Sequence, residues 1–184
     1  MGTKFSTRIW VSVVGIASIF FGSKGYADTV ISVADFGLKP DTRENAVAYV
    51  QKAIEACRGK EPVTLVFPEG RYDFWPQYAH EKNYYETNTY DVFPKRLAML
   101  FEGLHNITVD GNGSQFVMHD RIQPITVENC DGVTLKNFSI DWDIPLTAQA
   151  RVTKVGSDFF EIEINVLESP YIIEDGKLVF VGEG

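Results

Sequence analysis

The apolar positions fall into short runs broken by turn residues. Val63-Thr64-Leu65-Val66-Phe67 is nearly all apolar and β-branched, the pattern of a buried strand, and Pro68-Glu69-Gly70 turns it. Thr29–Val33 is a similar run, and Arg71–Phe74 resumes an extended course after the turn. Two runs recur: Ile107-Thr108-Val109 before Asp110-Gly111, and Val133-Thr134-Leu135 before Lys136-Asn137, an offset of 26 residues. Between them lie Gln115–Met118 and Ile125-Thr126-Val127, with Gly, Asn or Asp at the corners. Short strands recurring at a period in the twenties predict a β-solenoid, in which Ile107, Val109, Val133 and Leu135 point inward. A sandwich of short strands is the alternative.

One segment has a helical period. Ala46, Val47, Val50, Ala53, Ile54 and Cys57 share one face, Asp41 with Glu44 three residues on predicts a capping box, and Gly59 stands where a terminating glycine belongs. An amphipathic helix here would cover the open end of the first coil, where unpaired strand edges are a liability. Residues 75–95 show no period and read as an irregular, aromatic loop. Near residue 148 the pattern changes. Ala150–Val155 and Phe159–Ile164 flank Gly156-Ser157-Asp158 and predict an antiparallel hairpin, which does not continue a parallel solenoid. The organisation expected is a signal peptide over 1–27, a solenoid domain over 28–147 and the start of an inserted β-barrel-like domain over 148–184, the whole belonging to a longer protein.

The N-terminus predicts export. Lys4 and Arg8 precede Ile9–Phe21, an uncharged stretch of 13 residues, and small residues at Gly25 and Ala27 predict cleavage after Ala27. A bilayer-spanning helix needs about 20 apolar residues, so stable membrane insertion is not expected, although a retained anchor is the alternative reading. The destination is secreted or periplasmic. The 184 residues carry 17 Lys and Arg against 25 Asp and Glu, a net charge of −8. Removing 1–27 takes away three cations (Lys4, Arg8, Lys24) and no acid, leaving −11. That balance argues against nucleic acid as a partner and suits a neutral substrate.

Candidate chemistry centres on two places. Along Phe138–Ile144 the apolar residues Phe138, Ile140, Trp142 and Ile144 alternate with Ser139, Asp141 and Asp143. Strand residues at i and i+2 are about 6.6 Å apart at Cα, and inverting glycosidases hold two carboxyls roughly 6.5–9.5 Å apart. Asp141 and Asp143 are therefore candidates for an acid/base or substrate-binding pair, with ordinary outward polar residues as the plainer reading. Trp75, Tyr84 and Tyr85 are candidates for an aromatic platform under a sugar ring, as against a loop packing its own rings. His80, His105 and His119 show no ligand spacing, so no metal is expected. Cys57 and Cys130 read as two buried thiols, with a disulfide as the alternative.

Several segments carry a family resemblance. Asp35-Phe36-Gly37, the helix and Val66-Phe67-Pro68-Glu69-Gly70 resemble the opening of secreted right-handed β-helix carbohydrate enzymes. More specifically, Tyr72-Asp73-Phe74-Trp75-Pro76, Asn88 before Pro94-Lys95-Arg96, Asn137–Trp142 and Pro145–Ala150 resemble bacterial α-1,3-galactosidases of glycoside hydrolase family 110. The resemblance implies an all-β fold, a right-handed parallel β-helix with an N-terminal capping helix and an inserted antiparallel β-domain. It also implies inverting hydrolysis of terminal α-1,3-linked galactose without a cofactor, a galactose-terminated glycan as partner, and catalytic carboxylates downstream of Gly184. The resemblance assigns no role to a residue of this chain; Asp141, Trp142, Asp143, Trp75, Tyr84 and Tyr85 are substrate-binding candidates on spacing and residue type alone. A different β-helix polysaccharide-degrading enzyme and a non-enzymatic β-helical adhesin are the alternatives.

Overall fold

The computed structural model describes residues 29–84 and 93–182; the expected signal peptide and Tyr85 lie outside the described residues. The strands are β1 (Thr29–Ser32), β2 (Val63–Val66), β3 (Arg71–Phe74), β4 (His80–Tyr84), β5 (Phe93–Glu102), β6 (His105–Met118), β7 (Gln123–Glu128), β8 (Asp131–Trp142), β9 (Arg151–Val155), β10 (Phe160–Glu163), β11 (Tyr171–Glu174) and β12 (Lys177–Phe180). The helix α1 spans Val47–Cys57. The fold is all-β with parallel sheets.

Three stacks of parallel strands form it. The first orders β1, β2, the first half of β6 and the first half of β8. The second orders β3 and the second halves of β6 and β8. The third pairs β5 with β7. The 26-residue recurrence is a true register: Ile107 pairs with Val133 and Val109 with Leu135. The corners repeat with it. Gly103 and Asn129 are left-handed, as are Asn106 and Gly132, each pair 26 residues apart. Asn106 shows that a non-glycine residue can take this corner; at Gly132 a side chain would meet Asn106 Oδ1 at 2.6 Å and Asn106 N at 3.3 Å, so the close approach favours glycine there. Past Asn137 the offset shortens to 24, Phe116 pairing with Ile140, because Gly111–Gly113 in β6 face Asn137 alone.

Between Val63 and Ile107 the offset is 44; it is still 44 at Phe74 and returns to 26 at Leu97, so the 18 extra residues fall between β3 and Leu97. This segment is not wholly irregular, as its composition suggested: β4 pairs antiparallel with β5. His80-Glu81-Lys82-Asn83-Tyr84 has no apolar alternation because the strand is held by its backbone and by ions. Lys82 Nζ lies 2.9 Å from Glu102 and 2.7 Å from Glu128.

Apolar columns meet inside. Phe116 lies 4.7 Å from Phe67, 5.6 Å from Phe74 and 4.8 Å from Phe138, ring centre to ring centre. Helix α1 adds Val47, Val50, Ala53, Ile54 and Cys57 to the same core. Its start differs from the expected capping box. Asp41 is left-handed, and its carboxylate accepts from Arg71 N at 2.9 Å. Residues 41–46 run beside β3, with Ala46 N donating to Asp73 O, so the helix cannot begin until Val47, whose N–H donates to Asn45 Oδ1 at 3.1 Å. The end is as expected, with Gly59 left-handed and Lys60 N donating to Cys57 O.

Of the four residues placed inward by sequence, Ile107 and Val109 are buried and Val133 is half-buried. Leu135 is 38% exposed, a departure with a simple cause: among the described residues no strand lies on the far side of β8. Cys57 and Cys130 are free thiols, the first buried and the second half-buried. Residues 151–180 form two antiparallel hairpins, β9–β10 and β11–β12. Among the described residues no helix is long and apolar enough to cross a membrane.

Burial predicts a contrast within the core columns. Phe116→Ala, at a site with no exposure, should cost about 3–5 kcal/mol in a urea titration followed by circular dichroism. Leu135→Ala should cost less than half as much, because its side chain is already partly in water.

Candidate functional site

In β3, Tyr72 and Phe74 turn into the core, which leaves Arg71 and Asp73 on the opposite face. The pairing of the second stack aligns Phe74, Met118 and Trp142. It then extends one residue further, with His119 N donating to Phe74 O at 2.9 Å and Asp143 N donating to Met118 O at 3.0 Å. Trp75, His119 and Asp143 thus occupy equivalent positions just past three stacked strand ends. The Trp75 and His119 rings stack with centres 3.8 Å apart and planes 8° from parallel.

A charge network ties this column to β3. Asp73 is fully buried and lies 2.9 Å from His119 Nε2; Arg71 Nη2 donates to Asp73 Oδ1 at 2.6 Å and to Asp143 Oδ1 at 2.6 Å. Arg43 comes within 3.7 Å of Asp73 and 3.6 Å of Asp143. Burial alone would raise the Asp73 carboxyl, but hydrogen bonds from Arg71 and His119 hold it below the usual carboxylate range. The Arg71 hydrogen bond does the same for Asp143. Both acids are therefore ionised near neutrality, suited to accepting hydrogen bonds and unsuited to donating a proton. Ligand atoms of Asp73, His119 and Asp143 all lie within 4.8 Å of one another, which is metal-site spacing. The guanidinium of Arg71 already fills the cationic place between the two carboxylates.

The structure sorts the sequence candidates. Asp143 and Trp75 join this network. Asp141 is exposed on β8, its carboxylate accepting from Trp142 N at 2.8 Å, while Asp143, one residue past the strand end, accepts from Arg71 Nη2. Trp142 is half-buried against the core and gives its indole N–H to Asp120 O at 3.2 Å. Tyr84 is elsewhere: its hydroxyl donates to Glu128, beside Lys82. Lys82 and then Tyr84 hold Glu128 below its ordinary value, and the same hydrogen bond pushes Tyr84 up. Among the described residues no ring contact joins Tyr84 to Trp75, and Tyr85 lies outside them. Sequence reasoning missed Arg43, Arg71, Asp73 and His119. The available signal was Arg71 and Asp73 alternating with two core aromatics, opposite charges two residues apart on one strand face.

Removing the buried carboxylate should be costly. Asp73→Asn keeps an acceptor oxygen but removes the buried negative charge that faces Arg71, Arg43 and His119, and should lose about 3 kcal/mol in urea. The pH dependence follows from depressed pKa values in the folded state. The stabilisation is complete above the unfolded carboxylate value of about 3.9 and is lost as pH falls through the folded values. Melting temperatures at pH 7 and pH 3 should therefore differ more in the parent chain than in Asp73→Asn.

No family model matches the chain. Curated relatives do. An alpha-1,3-galactosidase B of Bacteroides thetaiotaomicron is 61% identical over 158 residues, covering 86% of this chain and 26% of the relative. An alpha-1,3-galactosidase A of Shewanella woodyi is 37% identical over 84% of this chain and 25% of its own length. An alpha-1,3-galactosidase B of Phocaeicola vulgatus is 34% identical over 96% of this chain and 28% of its own length. The chain belongs with the bacterial α-1,3-galactosidases, of whose length it spans about a quarter.

Proposed function

We propose that this chain is part of a secreted glycosidase that removes terminal α-1,3-linked galactose from glycans with inversion. The observation that carries the reading is the 61% identity, over most of the chain, to a protein named alpha-1,3-galactosidase B. Parallel pairing at a 26-residue offset supports a right-handed β-helix as the scaffold. The two antiparallel hairpins support an inserted β-domain beginning near residue 148. The charge and apolar pattern of residues 1–27 supports export with cleavage after Ala27.

Inversion divides the labour between two carboxyls. One protonates the leaving oxygen while the other activates water on the opposite face of the sugar, roughly 6.5–9.5 Å away. Asp73 and Asp143 are both paired with Arg71 and Arg43, which suits neither to donating a proton. We assign the acid and the base to the remainder of a full-length enzyme. To this chain we assign binding: the exposed part of Asp143 and the neighbouring Asp141 accept sugar hydroxyls, and Trp75 offers an apolar ring face.

A chimera tests the reading. The matched 158 residues of the Bacteroides thetaiotaomicron relative are replaced by those of this chain, and galactose release is measured on α-1,3- and α-1,4-linked disaccharides. The chimera should release galactose from the α-1,3 disaccharide, and this chain alone should not. A folded but inert chimera, or robust release by this chain alone, contradicts the proposal.

A further inference from the structure

An open groove of about 560 Å³ lies apart from the Arg71 network. Its walls come from the start of β5 (Pro94, Lys95, Arg96), from the turn into β7 (Arg121, Ile122), from Glu81 on β4 and from Leu146 beyond β8. The volume is within the range of roughly 300–1,000 Å³ typical of small-molecule sites. Three of these residues are cations, Lys95, Arg96 and Arg121, and one is an acid, Glu81. Arg96 meets Glu81 at a loose 3.4 Å. Arg121 is exposed, and among the described residues no ion pair engages it. Pro94 and Leu146 add exposed apolar surface beside the guanidinium groups, and Leu146 is 58% exposed.

We propose that this groove binds an anionic saccharide unit, carrying a carboxylate or a sulfate ester, as an ancillary glycan site. The chemistry has two parts. A planar guanidinium presents a fork of N–H donors that matches the paired oxygens of a carboxylate or sulfate, and Arg121 can turn such a fork to a ligand without leaving a protein partner. The apolar surface of Pro94 and Leu146 suits the C–H face of a pyranose ring, which a bare inorganic anion lacks. That the anion is borne by a saccharide rests on the glycosidase reading; the charge argument does not.

The test is calorimetric titration of the full chain with four probes: sialyllactose, a 3-sulfated galactoside, neutral lactose and sodium sulfate. Both anionic saccharides, or one of them, should bind at least ~10-fold more tightly than lactose and than sulfate. The arm that binds identifies carboxylate or sulfate ester as the group recognised. Arg121→Ala should remove that preference, Arg121→Lys should restore only part of it, and Leu146→Ala should weaken saccharide binding alone, each with an unchanged melting temperature. Equal binding of lactose, equal binding of free sulfate, or an Arg121→Ala chain that binds like the parent overturns the proposal. In the chimera, Arg121→Ala should leave release from the neutral disaccharide unchanged, so failure of the groove and failure of the galactosidase reading are told apart.

Discussion

Parallel pairing in register is the constraint on which the rest depends. It aligns Phe74, Met118 and Trp142 across three strands, and one further hydrogen bond in each gap carries the alignment to Trp75, His119 and Asp143. Because side chains alternate along each strand, the same alignment sends Tyr72, Phe74 and Phe116 inward and keeps Arg71 and Asp73 on the other face. A slip of one residue would exchange the two faces, exposing aromatics and burying unpaired charge. Hydrophobic burial and the charge network therefore specify the same register.

The network is balanced by position. Asp73 has no exposure and would be prohibitive as a lone ion, yet Arg71, His119 and Arg43 all reach it. Segment 41–46, by running beside β3 and delaying α1 to Val47, brings Arg43 to the network and ties the helical cap to the strand that carries Asp73. The cap, the core and the candidate site are thus fastened at one place. The second ion cluster, Lys82 with Glu102 and Glu128, has a different task and holds an otherwise polar strand to β5 and β7.

Much of the scaffold was legible because it repeats. The 26-residue recurrence of Ile107 and Val133 is visible as two apolar triplets followed by turn residues, and the left-handed corners coincide with Gly and Asn. The helix announced itself by period, although not its start, since Asp41 was claimed by the Arg71 backbone 30 residues away. Strand β4 was invisible because ion pairs, not apolar alternation, hold it. At the site, Asp143 and Trp75 were flagged as single residues. Their connection through Arg71, Asp73 and His119 spans separations of 46 and 72 residues, which a reading of local spacing does not reach.

The central claim is that register brings Arg71 of one strand and Asp143 of another into one network. A double-mutant cycle on these two residues, read by urea denaturation, tests it most directly. Arg71→Ala and Asp143→Ala should be non-additive, with a coupling of about 1 kcal/mol after allowance for the partly exposed Asp143. Strict additivity would contradict the account.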